Sequence, residues 1–318
     1  MTKLIAVSAT LLTACLYAMP GHAQATRTWV TGSGGSDANP CSRTAPCATF
    51  SGAISKTAIN GEINCIDSGA YGAVTIAKSI TIDCHDNFAG VLASGVTGII
   101  VNIPVNANDP LRTARIRNLN INGAGLSGTI GTRTGINGIR IDSALVVFVE
   151  DVTVTSFTQR GLFDQRTAAG KLFVKNSTFR DNGTSGLVVS PTTGTATVDV
   201  VIEGSQFIGN AVAGIAVNNG PRALVKRSMM SGNGIGIDSE ATVGTSQLLV
   251  DDSYVSGNGT GFFQSGAGSI RISNSDVAFN TALGSGTMNT FTNSRFTGNG
   301  VGGALATVGS PSGPTGQQ

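Results

Sequence analysis

The 318-residue sequence contains few charged and few aromatic residues. Asp, Glu, Lys and Arg together make up 12% of the chain, and Phe, Trp and Tyr make up 5%. The formal net charge is +2, and no basic segment is interleaved with aromatic residues. Proteins that bind nucleic acid generally present a strongly basic surface, so we expect no nucleic-acid partner. Because 40% of the residues are apolar, the low charge does not indicate a disordered chain.

Residues that bind metal ions are also scarce. The sequence contains 2 His residues, His22 and His85, and 5 Cys residues. Their spacing does not resemble that of a zinc site. The sequence has no glycine-rich phosphate loop and no nucleophile elbow. It therefore predicts neither a metal ion nor any other cofactor.

Long apolar segments are absent except near the N-terminus. Lys3 is followed by an apolar run over residues 4–16 and by small residues at Ala23–Ala25, which predicts a secretory signal peptide over residues 1–25. The run is too short to span a membrane, so no transmembrane segment is predicted. In the alternative interpretation, residues 12–15 form a lipoprotein signal and Cys15 is acylated. Both interpretations predict an exported protein that is secreted, periplasmic or attached to the cell surface.

Export permits disulfide bonds. Removal of the signal peptide leaves four cysteines, Cys41, Cys47, Cys65 and Cys84, which allow three pairings. Cys65 and Cys84 lie 84 − 65 = 19 residues apart, which is about the length of the repeat described next. We therefore favour one disulfide between Cys65 and Cys84 and a second that closes the short loop between Cys41 and Cys47.

A short pattern recurs through the second half of the chain. It first appears as KNSTFRDNG and combines a serine with an asparagine five residues later. The serines are Ser177, Ser205, Ser228, Ser253, Ser275 and Ser294, and the asparagines are Asn182, Asn210, Asn233, Asn258, Asn280 and Asn299. The asparagines follow one another at intervals of 28, 23, 25, 22 and 19 residues. A repeat of this length with variable insertions indicates a solenoid.

Each repeat contains two or three short strands with alternating apolar residues. The strands are separated by bends rich in Gly or Asn, and neither a helix nor a short hairpin turn links them. Equivalent strands of successive repeats must therefore stack in parallel. The sequence predicts an all-β, single-stranded parallel β-helix of roughly nine or ten coils, in which each coil is stabilised by its neighbours.

Stacked coils place equivalent residues in columns along the rod. We expect the asparagines to form a hydrogen-bonded ladder, because each amide has both donors and an acceptor for the next one. A glycine follows the asparagine in four of these turns, and we expect it to adopt a left-handed backbone conformation. These glycines are Gly183, Gly234, Gly259 and Gly300.

Two further columns lie on the strand that precedes each serine. One column alternates in charge, which predicts a ladder of ion pairs on adjacent strands; its members are Arg117, Glu150, Lys175, Glu203, Lys226 and Asp251. The other column should face outward but is apolar, and its members are Phe148, Phe173, Val201, Leu224 and Leu249. Such a stripe is expected to be covered. The cover is either another segment of the same chain or a second molecule, including another copy of this protein.

Charged residues also recur just after the second strand of several coils. They are Arg140, Asp142, Asp164, Arg166 and Asp238. Asp and Arg side chains that project from a rod into a groove could act as an acid, a base or a charge stabiliser. The loops beside these residues are short, and solvated turn residues would show the same pattern. These five residues are the candidates for a catalytic site.

The asparagine-turn coils resemble those of the right-handed parallel β-helix proteins of the pectin-lyase-like superfamily. The N-terminal stretch TWVTGSGGSDANPC and the following residues are similar to the entry segment of many secreted members. The resemblance covers roughly residues 28–305 and implies an N-terminal capping helix over Thr49–Ala58. It further implies a cap over residues 26–60 and a right-handed β-helix over residues 61–307. Residues 308–318, rich in Pro, Gly and Gln, are predicted to be a disordered tail.

The resemblance predicts the fold better than the activity, because this fold hosts lyases, hydrolases, epimerases and adhesins. The sequence lacks the catalytic sets of polygalacturonases, pectate lyases and pectin methylesterases. The leading prediction is a non-catalytic exported rod that acts in cell-envelope or extracellular interaction, with weak glycan contact. The alternative prediction is a polysaccharide lyase, glycoside hydrolase or epimerase with a diverged site at the five candidate residues.

Overall fold

The computed structural model describes residues 24–85, 87–125, 130–192 and 196–308. Most of the predicted signal peptide, including Cys15, and the predicted tail from residue 309 onward lie outside the described residues. Within these ranges, no helix is both long enough and apolar enough to cross a bilayer.

The described chain winds into a parallel β-helix with three faces. Face 1 contains β1 (Ala25–Val30), β2 (Thr57–Cys65), β5 (Ile80–Asp83), β8 (Thr113–Arg117), β11 (Val146–Glu150), β14 (Gly170–Lys175), β17 (Val198–Glu203), β20 (Arg222–Lys226), the C-terminal parts of β22 (Ile235–Asp251) and β24 (Thr260–Ser273), β27 (Thr287–Thr290) and β29 (Ala304–Thr307). Face 2 is a separate ten-stranded sheet of β3 (Gly69–Ala70), β6 (Ala89–Leu92), β9 (Asn120–Asn122), β12 (Thr153–Thr155), β15 (Thr178–Arg180), β18 (Gln206–Ile208), β21 (Met229–Ser231), β23 (Tyr254–Ser256), β25 (Asp276–Ala278) and β28 (Arg295–Thr297).

Face 3 completes each coil. It contains β4 (Val74–Ile76), β7 (Ile99–Asn102), β10 (Ile139–Ser143), β13 (Leu162–Asp164), β16 (Leu187–Val189), β19 (Ala213–Asn218), the N-terminal parts of β22 and β24, and β26 (Ala282–Ser285). A 3₁₀ turn spans Ile130–Thr132. The ten strands of face 2 agree with the predicted nine or ten coils.

A short helix, α1 (Phe50–Lys56), covers the N-terminal end of the coils. The hydroxyl of Thr49 caps it by accepting a hydrogen bond from the Gly52 amide at 2.9 Å. Phe50 is buried and packs against Tyr71, with 5.1 Å between the ring centroids. The helix is shorter than the predicted Thr49–Ala58, because the chain enters β2 at Thr57, which pairs with Ala25 of β1.

Both predicted disulfides are present. Cys41 pairs with Cys47 within the N-terminal segment, and Cys65 pairs with Cys84. Cys65 is the last residue of β2, and Cys84 directly follows β5, the neighbouring strand of face 1. The second disulfide therefore links two successive coils, as the 19-residue spacing predicted.

The predicted asparagine ladder runs along the bend between faces 2 and 3. Each amide nitrogen from Asn182 to Asn280 donates to the side-chain oxygen of the next asparagine, at distances of 3.0, 2.9, 3.1, 2.9 and 2.8 Å. The backbone N–H of each of these residues donates to the same oxygen. Because the first five asparagines are buried, the ladder satisfies polar groups that water does not reach.

A serine ladder, which the sequence analysis missed, runs along the bend between faces 1 and 2. The backbone N–H of each serine from Ser177 to Ser275 donates to the hydroxyl of the next serine at 3.1–3.2 Å. Each of the hydroxyls of Ser177–Ser275 donates in turn to the carbonyl two residues earlier. The recurrence of serine therefore has the same structural origin as the recurrence of asparagine.

The prediction for the glycines after the asparagines was wrong. The left-handed residue is the one before each asparagine, for example Gly232 with φ 67° and Phe279 with φ 56°. The glycines after the asparagines lie instead against the backbone of the preceding coil. A Cβ atom on Gly183 would lie 2.2 Å from the carbonyl oxygen of Thr158, so this turn requires glycine for close approach.

Candidate functional site

The five candidate catalytic residues do not meet at one place on the rod. Asp142 lies on β10 and Asp238 on β22, and β13, β16 and β19 separate these two strands on face 3. β10 and β22 are four strand spacings apart, so the two carboxylates lie roughly 19 Å apart along the rod. Two carboxylates that act on one glycosidic bond lie about 5–9.5 Å apart. Asp142 and Asp238 therefore cannot act as one acid–base pair.

Asp164 and Arg166 form an ion pair in the interior. Asp164 stands in register between Ile141 and Val189, whose side chains also point inward. Asp164 is 0% exposed and Arg166 is 1% exposed. The Arg166 Nη2 atom lies 2.7 Å from Asp164 Oδ2. These two residues were predicted as part of an outer patch, but their side chains are not accessible to a polymer.

The same guanidinium closes the bend between faces 3 and 1. Arg166 Nη1 donates to the carbonyl oxygen of Ala144 at 3.2 Å, and Nε donates to Asp164 Oδ1 at 2.8 Å. The pair thus neutralises its own charges and satisfies a backbone acceptor. This arrangement is that of a buried structural ion pair.

Arg140 and Asp142 lie on the outer surface of face 3. Arg140 Nε and Nη2 donate to Asp142 Oδ1 and Oδ2, both at 3.0 Å. Gln165, on the neighbouring coil, donates to Asp142 Oδ1 at 2.8 Å. Both oxygens of the carboxylate therefore already accept hydrogen bonds, which come from two side chains. Such a carboxylate is poorly suited to take a proton from a substrate.

Asp238 is different, because one of its carboxylate oxygens, Oδ1, is buried without a hydrogen-bond partner in the described part of the chain. It stands on the outer side of β22, in register between Ala216 and Phe263, and is 9% exposed. Among the described residues, none forms a hydrogen bond with Asp238 Oδ1. Burial, and secondarily the negative charge of Glu240, raise the pKa of Asp238 to about 7.

Glu240 lies two residues after Asp238 on the same strand and accepts a hydrogen bond from the Ser265 hydroxyl at 3.2 Å. Asp238 is among the five residues predicted from the sequence, whereas Glu240 was not predicted. The signal was present in IDSE, since residues two apart on a strand project from the same face. A carboxyl group that holds its proton near neutral pH, next to a second carboxylate, is a common arrangement for acid–base chemistry.

An apolar cluster adjoins Asp238 on face 3. Val188, Ala213 and Ala216 are buried in it, and Phe163 and Ile235 pack against it. The guanidinium carbon of Arg160 lies 4.2 Å from the ring centroid of Phe163. This apolar surrounding is consistent with the desolvation that raises the pKa of Asp238.

The outward apolar column forms a continuous stripe on face 1, as predicted. Register pairs connect Phe148, Phe173, Val201, Leu224 and Leu249 in this order, and Arg115 and Arg271 flank them. All five apolar side chains remain partly exposed. The stripe is therefore accessible from outside.

The aromatic end of the stripe is built as a stack. The rings of Phe148 and Phe173 are 4.9 Å apart and inclined by 11°, and Arg115 lies 3.9 Å from the Phe148 centroid. Each ring covers a face of the other, and the guanidinium of Arg115 covers the second face of Phe148. A sugar stacks on an exposed ring face. The stack therefore offers mainly ring edges to a glycan.

The predicted charge column is also in register on face 1, and Asp83 extends it by one coil. Arg117 contacts Glu150 at 2.5 Å, and Lys226 contacts Asp251 at 3.3 Å. Elsewhere the ladder is incomplete, since Glu203 pairs with Arg227 instead of Lys226. Lys175 forms no ion pair with Glu150 or Glu203 in the described part of the chain.

An open groove lies at the C-terminal half of the stripe. Its volume is about 450 Å³, and Val201, Leu224 and Leu249 are among its lining residues. Charged residues of a third column, Asp199 and Arg222, line one side and form an ion pair at 2.7 Å. Over the residues that the structure describes, no three His, Cys, Asp or Glu side chains cluster as metal ligands.

Comparison with known proteins agrees with this architecture. A family model described as "Right handed beta helix region" matches residues 162–314. The chain therefore has a right-handed parallel β-helix fold, in agreement with the family model and the solved structures below. No curated protein sequence matches it.

Two solved structures show the same fold. The pectate lyase Pel9A superposes with a TM-score of 0.61 and 15% identity, over 86% of this chain and 78% of that chain. A rhamnogalacturonan lyase superposes with a TM-score of 0.54 and 12% identity, over 86% of each chain. At these identities the β-helix proteins share a fold, and activity has to be argued from the side chains.

Proposed function

We propose that this β-helix protein is an exported, non-catalytic rod that acts in cell-envelope or extracellular interaction through its outer surface. The observation that carries this proposal is the dispersal of the candidate catalytic residues. Asp164 and Arg166 are buried as an ion pair, Asp142 is bound by Arg140, and Asp238 lies four strands away on face 3. Face 1, in contrast, repeats the same chemistry over successive coils, which suits an extended partner.

An envelope polysaccharide is one such partner, and we expect its contact to be weak. The side chains of the charge column offer hydrogen bonds to hydroxyl or carboxylate groups along the rod. The stacked rings of Phe148 and Phe173 offer mainly their edges, which limits stacking with sugars. The two disulfides are compatible with an oxidising compartment. Mass spectrometry of the mature N-terminus distinguishes cleavage near Ala25 from acylation of Cys15.

The proposal is tested with a panel of uronate-containing and neutral polysaccharides. Unsaturated ends report a lyase, new reducing ends report a hydrolase, and NMR of the uronate composition reports an epimerase. We expect no turnover by the purified mature protein and saturable, weak retention on one class of polysaccharide. Reproducible turnover of any polysaccharide would contradict the non-catalytic proposal and show that the protein is an enzyme.

The second candidate function is a polysaccharide-acting enzyme, and the pair Asp238 and Glu240 favours it. Asp238 holds a proton near neutral pH and could serve as a general acid, while Glu240 could serve as a base or nucleophile. Phe263, partly exposed beside Asp238, would contact the substrate.

This alternative has its own test. If any polysaccharide is turned over, Asp238→Asn and Glu240→Gln should each reduce the rate at least about 100-fold, since acid–base groups contribute about 10²–10⁴-fold. Asp142→Asn is the matched control on the same face and should leave the rate unchanged. A rate lost equally in all three variants would point to misfolding or to a different site.

A further inference from the structure

The outer surface of face 1 differs between its two halves. Towards the N-terminus, the large side chains of Arg115, Phe148 and Phe173 stack on one another. Towards the C-terminus, Val201, Leu224 and Leu249 line the open groove of about 450 Å³. One half of the stripe therefore carries stacked large side chains, and the other half lines a groove.

The charges beside the stripe alternate from coil to coil. On the downstream side the column runs Arg117, Glu150, Lys175, Glu203, Lys226 and Asp251. On the upstream side a shorter column runs Lys171, Asp199 and Arg222 with the same alternation. If a second copy of such a column is turned end to end about a point midway between two coils, each positive residue faces a negative residue of the first copy.

We propose that two copies of this chain pair through face 1 as an antiparallel dimer with a twofold axis that runs parallel to the strands between β14 and β17. This inference goes beyond the proposed function and does not depend on glycan binding. The two rods of the dimer then run in opposite directions, while their strands run in the same direction. Each column of one chain therefore faces the same column of the other chain. It places Phe173 opposite Val201 and Phe148 opposite Leu224.

The arrangement matches shape as well as charge. The stacked rings of each copy face the groove of its partner, and Arg115 lies opposite Leu249. The facing charges are Lys175 with Glu203, Glu150 with Lys226, and Arg117 with Asp251. In the upstream column Lys171 faces Asp199. Complementary charges of this kind select register and orientation more than they raise affinity.

Other pairings through the same face bring like charges together. An axis through the coil of Val201 would place Lys175 opposite Lys226 and Glu150 opposite Asp251. A parallel pairing would place Lys175 opposite Lys171 and Glu203 opposite Asp199. Like charges in facing positions oppose association, so the charges favour the antiparallel orientation with the axis midway between two coils. Among these registers, the one between β14 and β17 sets the stacked rings of each copy opposite the groove of the other.

The size of the surface predicts a weak dimer. The six coils from Arg115 to Leu249 span about 24 Å along the rod, and a five-residue strand spans about 17 Å. The flat area is then about 400 Å² per copy, which is small for a stable interface. We therefore expect a dissociation constant in the micromolar range, so that dilution separates the copies.

The first experiment measures mass against concentration by sedimentation equilibrium and light scattering. The mature protein should change from monomer to dimer between about 1 and 500 μM. Leu224→Lys places a charge in the groove and should leave a folded monomer. Val212→Lys, at an exposed position on the bend between faces 2 and 3, should leave the dimer unchanged. A wild-type protein that remains monomeric at 500 μM overturns the proposal.

The second experiment tests orientation and register by mixing two variants. In a dimer of Lys175→Glu, the new carboxylate of each copy faces Glu203 of the other copy. In a dimer of Glu203→Lys, the new ammonium group of each copy faces Lys175 of the other copy. Each should weaken self-association at least about 10-fold. In an equimolar mixture both facing pairs become opposite in sign, so heterodimers should form within about threefold of the wild-type affinity.

The mixture changes nothing inside either chain, so any rescue reports the contact between chains. Thermal unfolding of each variant confirms that it is folded. If both variants are folded and weakened but the mixture is not rescued, the assigned register is wrong. If neither variant weakens association, face 1 is not the interface.

Discussion

The outer surfaces of face 1 and face 3 use similar residue types in opposite ways. On face 1 the outward columns keep one character over many coils, such as the stripe from Phe148 to Leu249. On face 3 the outward column changes character twice over five coils, from Arg140 to the apolar Phe163, Val188 and Ala216, and then to Asp238. A column of similar residues can bind a partner that extends along the rod. A single residue that differs from its column is better suited to a reaction at one position.

The comparison extends to ion pairs. Face 1 carries Arg117 with Glu150 at the surface, where the side chains are 39% and 21% exposed. Face 3 encloses Arg166 with Asp164, which are 1% and 0% exposed. The same two kinds of functional group should therefore contribute very differently to stability, because only the buried pair loses its water.

The largest effect is expected from breaking the buried pair. Asp164→Ala leaves the Arg166 charge buried and unpaired and should lower the free energy of unfolding by about 3–5 kcal/mol. Urea unfolding measures this change. The double variant Asp164→Leu with Arg166→Met removes both charges and should cost clearly less than the single variant. A loss below about 1 kcal/mol for the single variant would contradict the structural role of the pair.

A smaller effect is expected from the titration of Asp238. Its pKa is about 7 in the folded protein, against the ordinary value of 3.8 for a solvated Asp, so the folded state binds the proton more tightly than the unfolded state. Asp238 therefore contributes most to the free energy of unfolding below about pH 4. This contribution falls by about 1.4 kcal/mol per pH unit as the pH rises towards 7. Asp238→Asn should remove this slope when unfolding is measured across the pH range.

Asp142→Asn provides the comparison for that titration, because Asp142 lies on the same face but is bound by Arg140 and Gln165. Asp142→Asn should not change the fall in the free energy of unfolding between pH 4 and 7. If the decline also persists in Asp238→Asn, a different group is responsible for it.

The smallest effect is expected from the surface pair on face 1. Glu150→Ala removes the partner of Arg117 at a partly exposed site and should cost about 0.2–1 kcal/mol. The cost should shrink further in 1 M salt, where the screening length is about 3 Å. Urea unfolding of the monomer at low and high salt measures both values. A loss as large as that of Asp164→Ala would remove the contrast between the two faces.

Much of the rod could be predicted because stacking turns sequence spacing into contact. The asparagine ladder, the stripe and the Cys65–Cys84 disulfide all followed from aligning the coils. The same alignment could have placed Asp164 inside, since its column contains Ile141, Val189 and Val217. It was predicted at the surface because charged residues recur just after the second strand of several coils, although its own column is apolar.

Other features could not be predicted in this way. The serine ladder depends on the direction of backbone N–H groups at a bend, which residue spacing does not show. The raised pKa of Asp238 depends on how closely its neighbours exclude water. The groove at Leu224 depends on the relative heights of side chains in three columns.

Repeat spacing alone identifies the residues that are neighbours along the rod, because each coil lies on the one before and equivalent positions recur. The direction of side chains near the bends and the depth at which each charge is buried depend on the folded backbone. This is because strands such as β13 are three residues long. At each bend the backbone turns and interrupts the alternation of inward and outward side chains, so the direction at the next position depends on the folded backbone.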